Sequence, residues 1–238
     1  MKSDFVLGII PARSGSKRVR KKNTRDLLGK PLIEYTMDSS KKSKLIDKLV
    51  VSTDDDEIKQ LGLNNKIEVV ERPLELAQDT SSAIDVVLHA IDEINNKNLY
   101  PDIIILLQPT SPFRTAQDID NSLNLFLHEY KRNNCMSLVS LCEYEHSPYW
   151  SMTIKEIYTS PFFGHDYINK RGQDLPKLYR PNGAIYISTP RILKECKTFY
   201  TYKTLPYIMP HIYSVDIDEE IDFKFAEFLL NEGMLDDK

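Results

Sequence analysis

Cysteine is scarce in this chain: Cys135, Cys142 and Cys196 are the only three in 238 residues. So few thiols, so widely scattered, exclude a disulfide framework and a zinc site built on paired cysteines. Cys135 and Cys142 lie in an apolar stretch and read as buried thiols. Histidine is hardly more abundant, and His89, His128, His146, His165 and His211 show no metal-ligand spacing. No segment approaches the roughly 18 consecutive apolar residues of a membrane span. Lys2 and Asp4 precede only a short apolar run ending at Pro11, so no secretory leader is expected and the cytoplasm is the expected compartment. Internal repeats and low-complexity segments are missing as well.

What is present suits one globular domain. Hydrophobic residues make up 41% of the chain and charged residues 28%, an ordinary balance for a packed core. The formal charge of −4 argues against a general nucleic-acid binder, but the sum hides an asymmetry. Residues 13–30 hold eight Lys or Arg and one acid, whereas residues 214–238 hold nine acids and two Lys. A basic cluster beside a turn suits phosphates, and a late acidic cluster suits a divalent cation; two solvated surfaces are the alternative.

Apolar runs of strand length alternate with segments of helical period. Strands are expected at residues 5–12, 48–53, 68–71, 103–107 and 135–141, and helices at 32–40, 81–95 and 118–130, with a cap within 54–56 starting another. In the 81–95 segment Ile84, Val87, Leu88, Ile91 and Ile94 form one apolar stripe. Such alternation predicts an α/β fold, an open and mostly parallel sheet with helices on both faces. The pattern breaks at residue 143. From there to 180 the chain carries Tyr149, Trp150, Tyr158, Phe162, Phe163 and Tyr167 without a sustained period, which reads as an inserted arm sheltering its aromatics on the core or a second subunit. Strands are expected again at 184–188 and 213–217, and a helix at 219–230.

In such sheets ligands sit beyond the carboxyl ends of the strands. After the first strand come Arg13, Ser14, Gly15, Ser16 and Lys17, then Lys22 and Asn23. Gly15 lets backbone N–H groups approach an anion, and the basic side chains add charge. The spacing is neither that of a Walker loop nor that of a dinucleotide-binding turn. Glycine plus basic residues alone is equally a surface turn.

The same stretch in full, with Leu28-Gly29-Lys30-Pro31-Leu32, is more specific. So are Val51-Ser52-Thr53-Asp54, Arg72-Pro73 and Gln78-Asp79-Thr80-Ser81-Ser82. Further on stand Gln108-Pro109-Thr110-Ser111-Pro112-Phe113-Arg114, Tyr179-Arg180-Pro181-Asn182-Gly183-Ala184-Ile185-Tyr186 and Val215-Asp216-Ile217-Asp218. Together, in this order over nearly the whole chain, they resemble the acylneuraminate cytidylyltransferases, the CMP-sialic acid synthetase family.

That resemblance implies a nucleotide-diphospho-sugar transferase-like fold with a dimerisation arm at 143–180 inside a single domain, 1–238. It implies transfer of CMP from CTP to the anomeric hydroxyl of a nonulosonic acid, with Mg²⁺ as cofactor and a homodimer as the assembly. Arg13, Ser16, Lys17, Lys22, Asn23, Arg72 and Ser82 match CTP-binding positions, with Arg13 and Lys17 catalytic; Ser82 reads equally as a helix cap. Gln108, Thr110, Ser111, Asn182, Tyr186, Phe199 and Tyr200 match the sugar site, the last two as an aromatic pair that core packing would also explain. Arg114 is either a ligand contact or part of an internal salt bridge, and Lys30 is either a phosphate contact or part of a solvated face, the reading given to Arg18, Arg20 and Lys21. Asp216 and Asp218, two apart in a strand-like segment, share a face and present hard oxygen donors for Mg²⁺, while Asp218 also suits a helix start.

One departure stands out. The family's lysine shortly after the His-x-Pro of the arm is replaced by aromatics in His146-Ser147-Pro148-Tyr149-Trp150, which leaves N-acetylneuraminic, legionaminic, pseudaminic and deaminated acids all open. An octulosonate cytidylyltransferase would have a smaller pocket, and a catalytically silent nucleotide-binding protein would have lost a loop cation or one of the acids.

Overall fold

The computed structural model describes residues 4–15, 18–78 and 80–235. Its seven-stranded sheet runs in the order β3-β2-β1-β4-β8-β5-β9. The strands are β1 Val6–Pro11, β2 Lys48–Thr53, β3 Glu68–Glu71, β4 Ile103–Leu106, β5 Ser137–Glu143, β8 Tyr179–Ser188 and β9 Thr204–Ile208. A separate hairpin pairs β6 Met152–Lys155 with β7 Tyr158–Pro161. The sheet is parallel except for β8, which runs antiparallel to both β4 and β5.

The helices are α1 Leu32–Lys42, α2 Asp56–Asn64, α3 Ala83–Asn95, α4 Ala116–Asn133, the short α5 His165–Ile168, α6 Pro190–Cys196 and α7 Glu220–Asn231. Two apolar cores flank the sheet, which is why its central strands read as unbroken apolar runs. Val6 and Ile10 of β1 and Ile103 and Ile105 of β4 face the core built with α1, α4 and α7. Leu7, Ile9, Ile104 and Leu106 face the other, with the α3 stripe and Leu193 of α6. Local signals set the helix starts: Asp55 accepts from the N–H groups of Glu57 and Ile58, and Thr115 with Asp118 forms a capping box.

Two expectations need correction. Residues 213–217 do not form a strand; a 3-10 turn, His211–Tyr213, leads into an irregular segment. The strand is β9 instead, on the sheet edge, where Pro206 lies beside Val139 of β5 without breaking the pairing. Its mid-strand proline is what conceals it in the sequence. The arm is also more ordered than its aperiodic sequence implies. Tyr149 stacks on Tyr167 at 4.5 Å and meets Phe163 edge-on at 5.3 Å, so these rings pack on one another rather than on the sheet.

Strand β8 departs from regular pairing at Gly183. Its register against β5 shifts between Val139 and Leu141, and Gly183 takes φ +77°. A β-carbon there would lie 3.1 Å from Gln108 Oε1 and from Ser111 Oγ, and 3.3 Å from Asp216 Oδ2. Three side chains, from the loop after β4 and the segment before α7, thus converge on a residue without a side chain. Gly183→Ala is expected to cost about 1–2 kcal/mol from left-handed backbone strain alone, read as a lowered urea midpoint; an unchanged midpoint would contradict this packing.

Candidate active site

Beyond the carboxyl ends of β1, β3 and β4 lies a cavity of about 700 Å³, where a ligand of an open α/β sheet is expected. The turn after β1 supplies its basic wall. Asp54 accepts from both the N–H and the hydroxyl of Ser14, and Asn23 donates to the carbonyl of Arg13 at 3.3 Å. These bonds shape the turn so that Arg13, Arg18, Lys22 and Asn23 line the cavity. Ser16 and Lys17 lie outside the described residues, as does Asp79.

Arg72, just past β3, is only 5% exposed yet lines the same cavity. It donates to the Ser52 carbonyl at 2.7 Å and to the Ser52 hydroxyl at 3.3 Å. Burial lowers its pKa to about 10; Asp54 opposes the drop and the nearby Arg13 charge adds to it. Arg72 is therefore still a cation at neutral pH. The buried Arg72 and its neighbour Arg13 repel each other, and both gain from an anion in the cavity they line. For Asp54, burial pushes the carboxyl up, but the Ser14 bonds and the Arg72 charge outweigh it, leaving it below the usual carboxylate range.

The opposite wall is acidic. In the segment after Tyr213, Val215 and Ile217 are buried while Asp216 and Asp218 line the cavity, so the alternation expected of a strand survives without a ladder. The Ile217 N–H donates to the Thr110 carbonyl at 2.8 Å, hanging this segment from the loop after β4. Lys22 Nζ crosses the cavity, donating to the Ile217 carbonyl at 2.7 Å and to Asp218 at 3.1 Å. Arg18 stands 3.5 Å from Asp218, both well exposed, a pairing weak enough to yield to a ligand. Burial raises the Asp216 carboxyl above its ordinary value; a bond from Thr110 opposes this, Asp218 adds to it, and Lys22 and Arg180 oppose it. The start of α7 is served by Asp222, which accepts from the N–H groups of Asp218 and Glu219. The Asp218 carboxylate is therefore not used as that helix's cap.

Several expected site residues are placed otherwise. Ser82 is the N-cap of α3: its hydroxyl accepts from the Asp85 N–H and donates to the Asp85 carboxylate, while the flanking Ser81 and Ala83 line the cavity. Ser111 and Asn182 are fully buried rather than facing it. Ser111 donates to the Asn182 carbonyl. The Asn182 amide donates to Ser214 and to Met209 sulfur, and its oxygen accepts from Ser140 and the Ala184 N–H. They bracket β8 to its neighbours, and burial without a spare polar atom is what removes them from ligand contact. Lys30 pairs with Asp38 at 2.7 Å and sits over the Tyr35 ring, a structural role.

Gln108 and Thr110 do line the cavity. Tyr186, Phe199 and Tyr200 come together, with ring centroids 5.5 and 6.3 Å from Tyr186. Phe199 is buried in the core and Tyr200 is exposed. Burial, then Tyr200 and Asp216, raise the Tyr186 hydroxyl's pKa; none of the three rings lines the cavity. Arg18 and Gln78 line the cavity without having been anticipated. A loop arginine among other basic residues carries no periodic signal that separates it from a solvated face. Among the described residues no group of three or more His, Cys, Asp and Glu could hold a metal ion by itself, and no helix is long and apolar enough to cross a membrane.

Residues 7–236 match the family model described as cytidylyltransferase. The chain is 33% identical to an N-acylneuraminate cytidylyltransferase of Escherichia coli O18:K1:H7, over 93% of its own length and 51% of that protein. It is 34% identical to a CMP-N,N'-diacetyllegionaminic acid synthase of Legionella pneumophila, over 94% of this chain and 96% of that one. With a pseudaminic acid cytidylyltransferase of Campylobacter jejuni the identity is 30%, over 94% and 95%. The chain thus spans about half the length of the N-acylneuraminate enzyme and nearly all of the other two. Among solved structures, a CMP:2-keto-3-deoxy-manno-octonic acid synthetase complexed with CTP superposes with a TM-score of 0.71 at 15% identity, covering 96% of this chain and 99% of that one. It shows the same fold, that of nucleotidyltransferases. With a family model matched across nearly its full length and a basic loop facing paired carboxylates in one cavity, the chain belongs to the cytidylyltransferase family.

Proposed function

We propose that this protein transfers CMP from CTP to the anomeric hydroxyl of a nonulosonic acid, releasing pyrophosphate. The observation that carries the reading is the cavity's two-sided charge, Arg13, Lys22 and Arg72 on one wall and Asp216 and Asp218 on the other. Relatives named for N-acylneuraminic, legionaminic and pseudaminic acids, at 30–34% identity, support the acceptor class. The octonic acid synthetase shares only the fold, so it lends less support to a shorter acceptor.

In this reading the acceptor oxygen attacks the α-phosphorus, the bond to the β-phosphate oxygen breaks, and the hydroxyl proton departs. Charge grows on the leaving pyrophosphate, where fixed cations lower the barrier. Arg13 and Lys22, with Ser16 and Lys17 between them in the sequence, bind that end; Arg72 and the start of α3 bind the nucleotide. Gln108 and Thr110 orient the acid, and the Tyr186, Phe199 and Tyr200 cluster borders its acyl end. Holding donor and acceptor in line supplies most of the rate.

Mg²⁺ fits the acidic wall. The donors are hard oxygens, one of them a carboxyl whose proton affinity burial has raised, and Mg²⁺ takes one or two carboxylates with substrate phosphates completing its shell. Asp216 and Asp218 would hold it, and when bound it neutralises phosphate charge. The arm's exposed Ile154, Ile157, Tyr158 and Phe162 support a homodimer that covers them. A cytoplasmic location suits the supply of CTP.

Three outcomes are expected. Pyrophosphate release across a panel of nonulosonic acids is fastest with CTP; equal rates with ATP or GTP would sink the reading. Asp216→Asn and Asp218→Asn each lower turnover about a hundredfold, the loss of one charged contact to the transition state, with partial rescue by excess Mg²⁺. Normal turnover in both, or activity that persists in EDTA, would remove the metal role. Light scattering at micromolar concentration gives a dimer mass; a fully active monomer would refute the arm's assignment.

A further inference from the structure

Arg114, at the end of the loop between β4 and α4, is a cation in the wrong place for a salt bridge. It is 2% exposed, yet its hydrogen bonds go to neutral groups. One Nη donates to the Gln108 carbonyl at 3.0 Å and to the Ala184 carbonyl at 2.8 Å; the other donates to the Thr36 hydroxyl. Among the described residues its Nε has no partner. Burial pulls its pKa down to about 9, with the charge of Asp118 opposing. Placing an arginine there is costly compared with a methionine of similar size. Core packing alone does not explain the choice.

The groups it ties together belong to three elements: the loop after β4, strand β8 and helix α1. Gln108 begins the loop that also carries Thr110. Ala184 follows Gly183, against which Gln108 Oε1 and Asp216 Oδ2 are packed. Thr36 belongs to α1, behind the sheet. Through the Ile217 N–H to Thr110 carbonyl bond, the same loop carries the segment with Asp216. The two Nη atoms of a planar guanidinium hold the carbonyl pair and the Thr36 hydroxyl at a set spacing, which an ammonium on a flexible stem does not reproduce.

We propose that Arg114 is a positioning residue for the acceptor half of the site, setting the gap between Gln108 and Asp216 by clamping the loop after β4 to β8 and α1. It never touches substrate. The proposal rests on the cytidylyltransfer reading for its kinetic expression, and on the fold alone for its mechanical part.

The test compares Arg114→Lys and Arg114→Met with the unaltered protein by steady-state kinetics and amide hydrogen exchange. Both variants are expected to raise the acceptor KM or lower kcat by about tenfold, as small misplacements of reacting groups do, while the CTP KM stays within about twofold. Amides of residues 108–113 and 214–218 should exchange severalfold faster, with those of α3 unaltered. A purely structural arginine predicts something else: activity falling with the folded fraction, equal effects on both substrates, and exchange that rises everywhere or nowhere. That outcome overturns the proposal. Should either variant fail to fold, Thr36→Val, which removes one partner remote from the cavity, is expected to move the same parameters in the same direction by less, and unchanged values would count against the clamp. If the unaltered protein transfers CMP to none of the acids, the transfer reading falls. The exchange pattern alone then decides whether Arg114 holds the loop.

Discussion

The acidic wall of the cavity depends on the bond from the Ile217 N–H to the Thr110 carbonyl. Residues 214–218 join no strand ladder, so nothing in the sheet itself sets the height of Asp216 and Asp218 above the basic turn. Burial of Val215 and Ile217 keeps the two carboxylates outward, and the Thr110 bond fixes where along the cavity they stand. Lys22, reaching across to the Ile217 carbonyl and Asp218, closes the frame from the other side. Loop after β1, loop after β4 and the approach to α7 are thereby one mechanical unit, although they are far apart in sequence.

Charge gives that unit its chemistry. Arg72 is buried beside Arg13, and Asp216 is half-buried beside Asp218. Like charges stand together in each pair, and each gains from what one side of a metal-triphosphate presents. Anions approach the arginines; a cation approaches the aspartates. The proposed reaction asks for this disposition, with negative charge developing on pyrophosphate at one end and the attacking oxygen held at the other.

Much of this was legible in the sequence because the physics is local. The boundaries of β2 and β3 are as the apolar runs give them, the α3 stripe packs as its period requires, and Asp216 and Asp218 point together because Val215 and Ile217 are drawn inward. What was not legible depends on tertiary context. Pro206 disguises β9, which is tolerable only because the strand lies at the sheet edge. Ser82 and Asn182 sit in stretches similar to ligand-binding segments, but one caps a helix and the other satisfies buried neighbours. Arg18 and Arg114 differ in the opposite sense: a loop charge that faces the cavity, and a charge wholly enclosed. No spacing rule distinguishes them, since each role is set by residues distant in the chain.

The most direct test of the account is a crystal structure with Mg²⁺ and a CTP analogue whose α,β-bridge resists cleavage. The account predicts the β- and γ-phosphates against Arg13 and Lys22, and the metal between the α-phosphate and the carboxylates of Asp216 and Asp218. A triphosphate bound elsewhere, or a metal that ignores both aspartates, would contradict it.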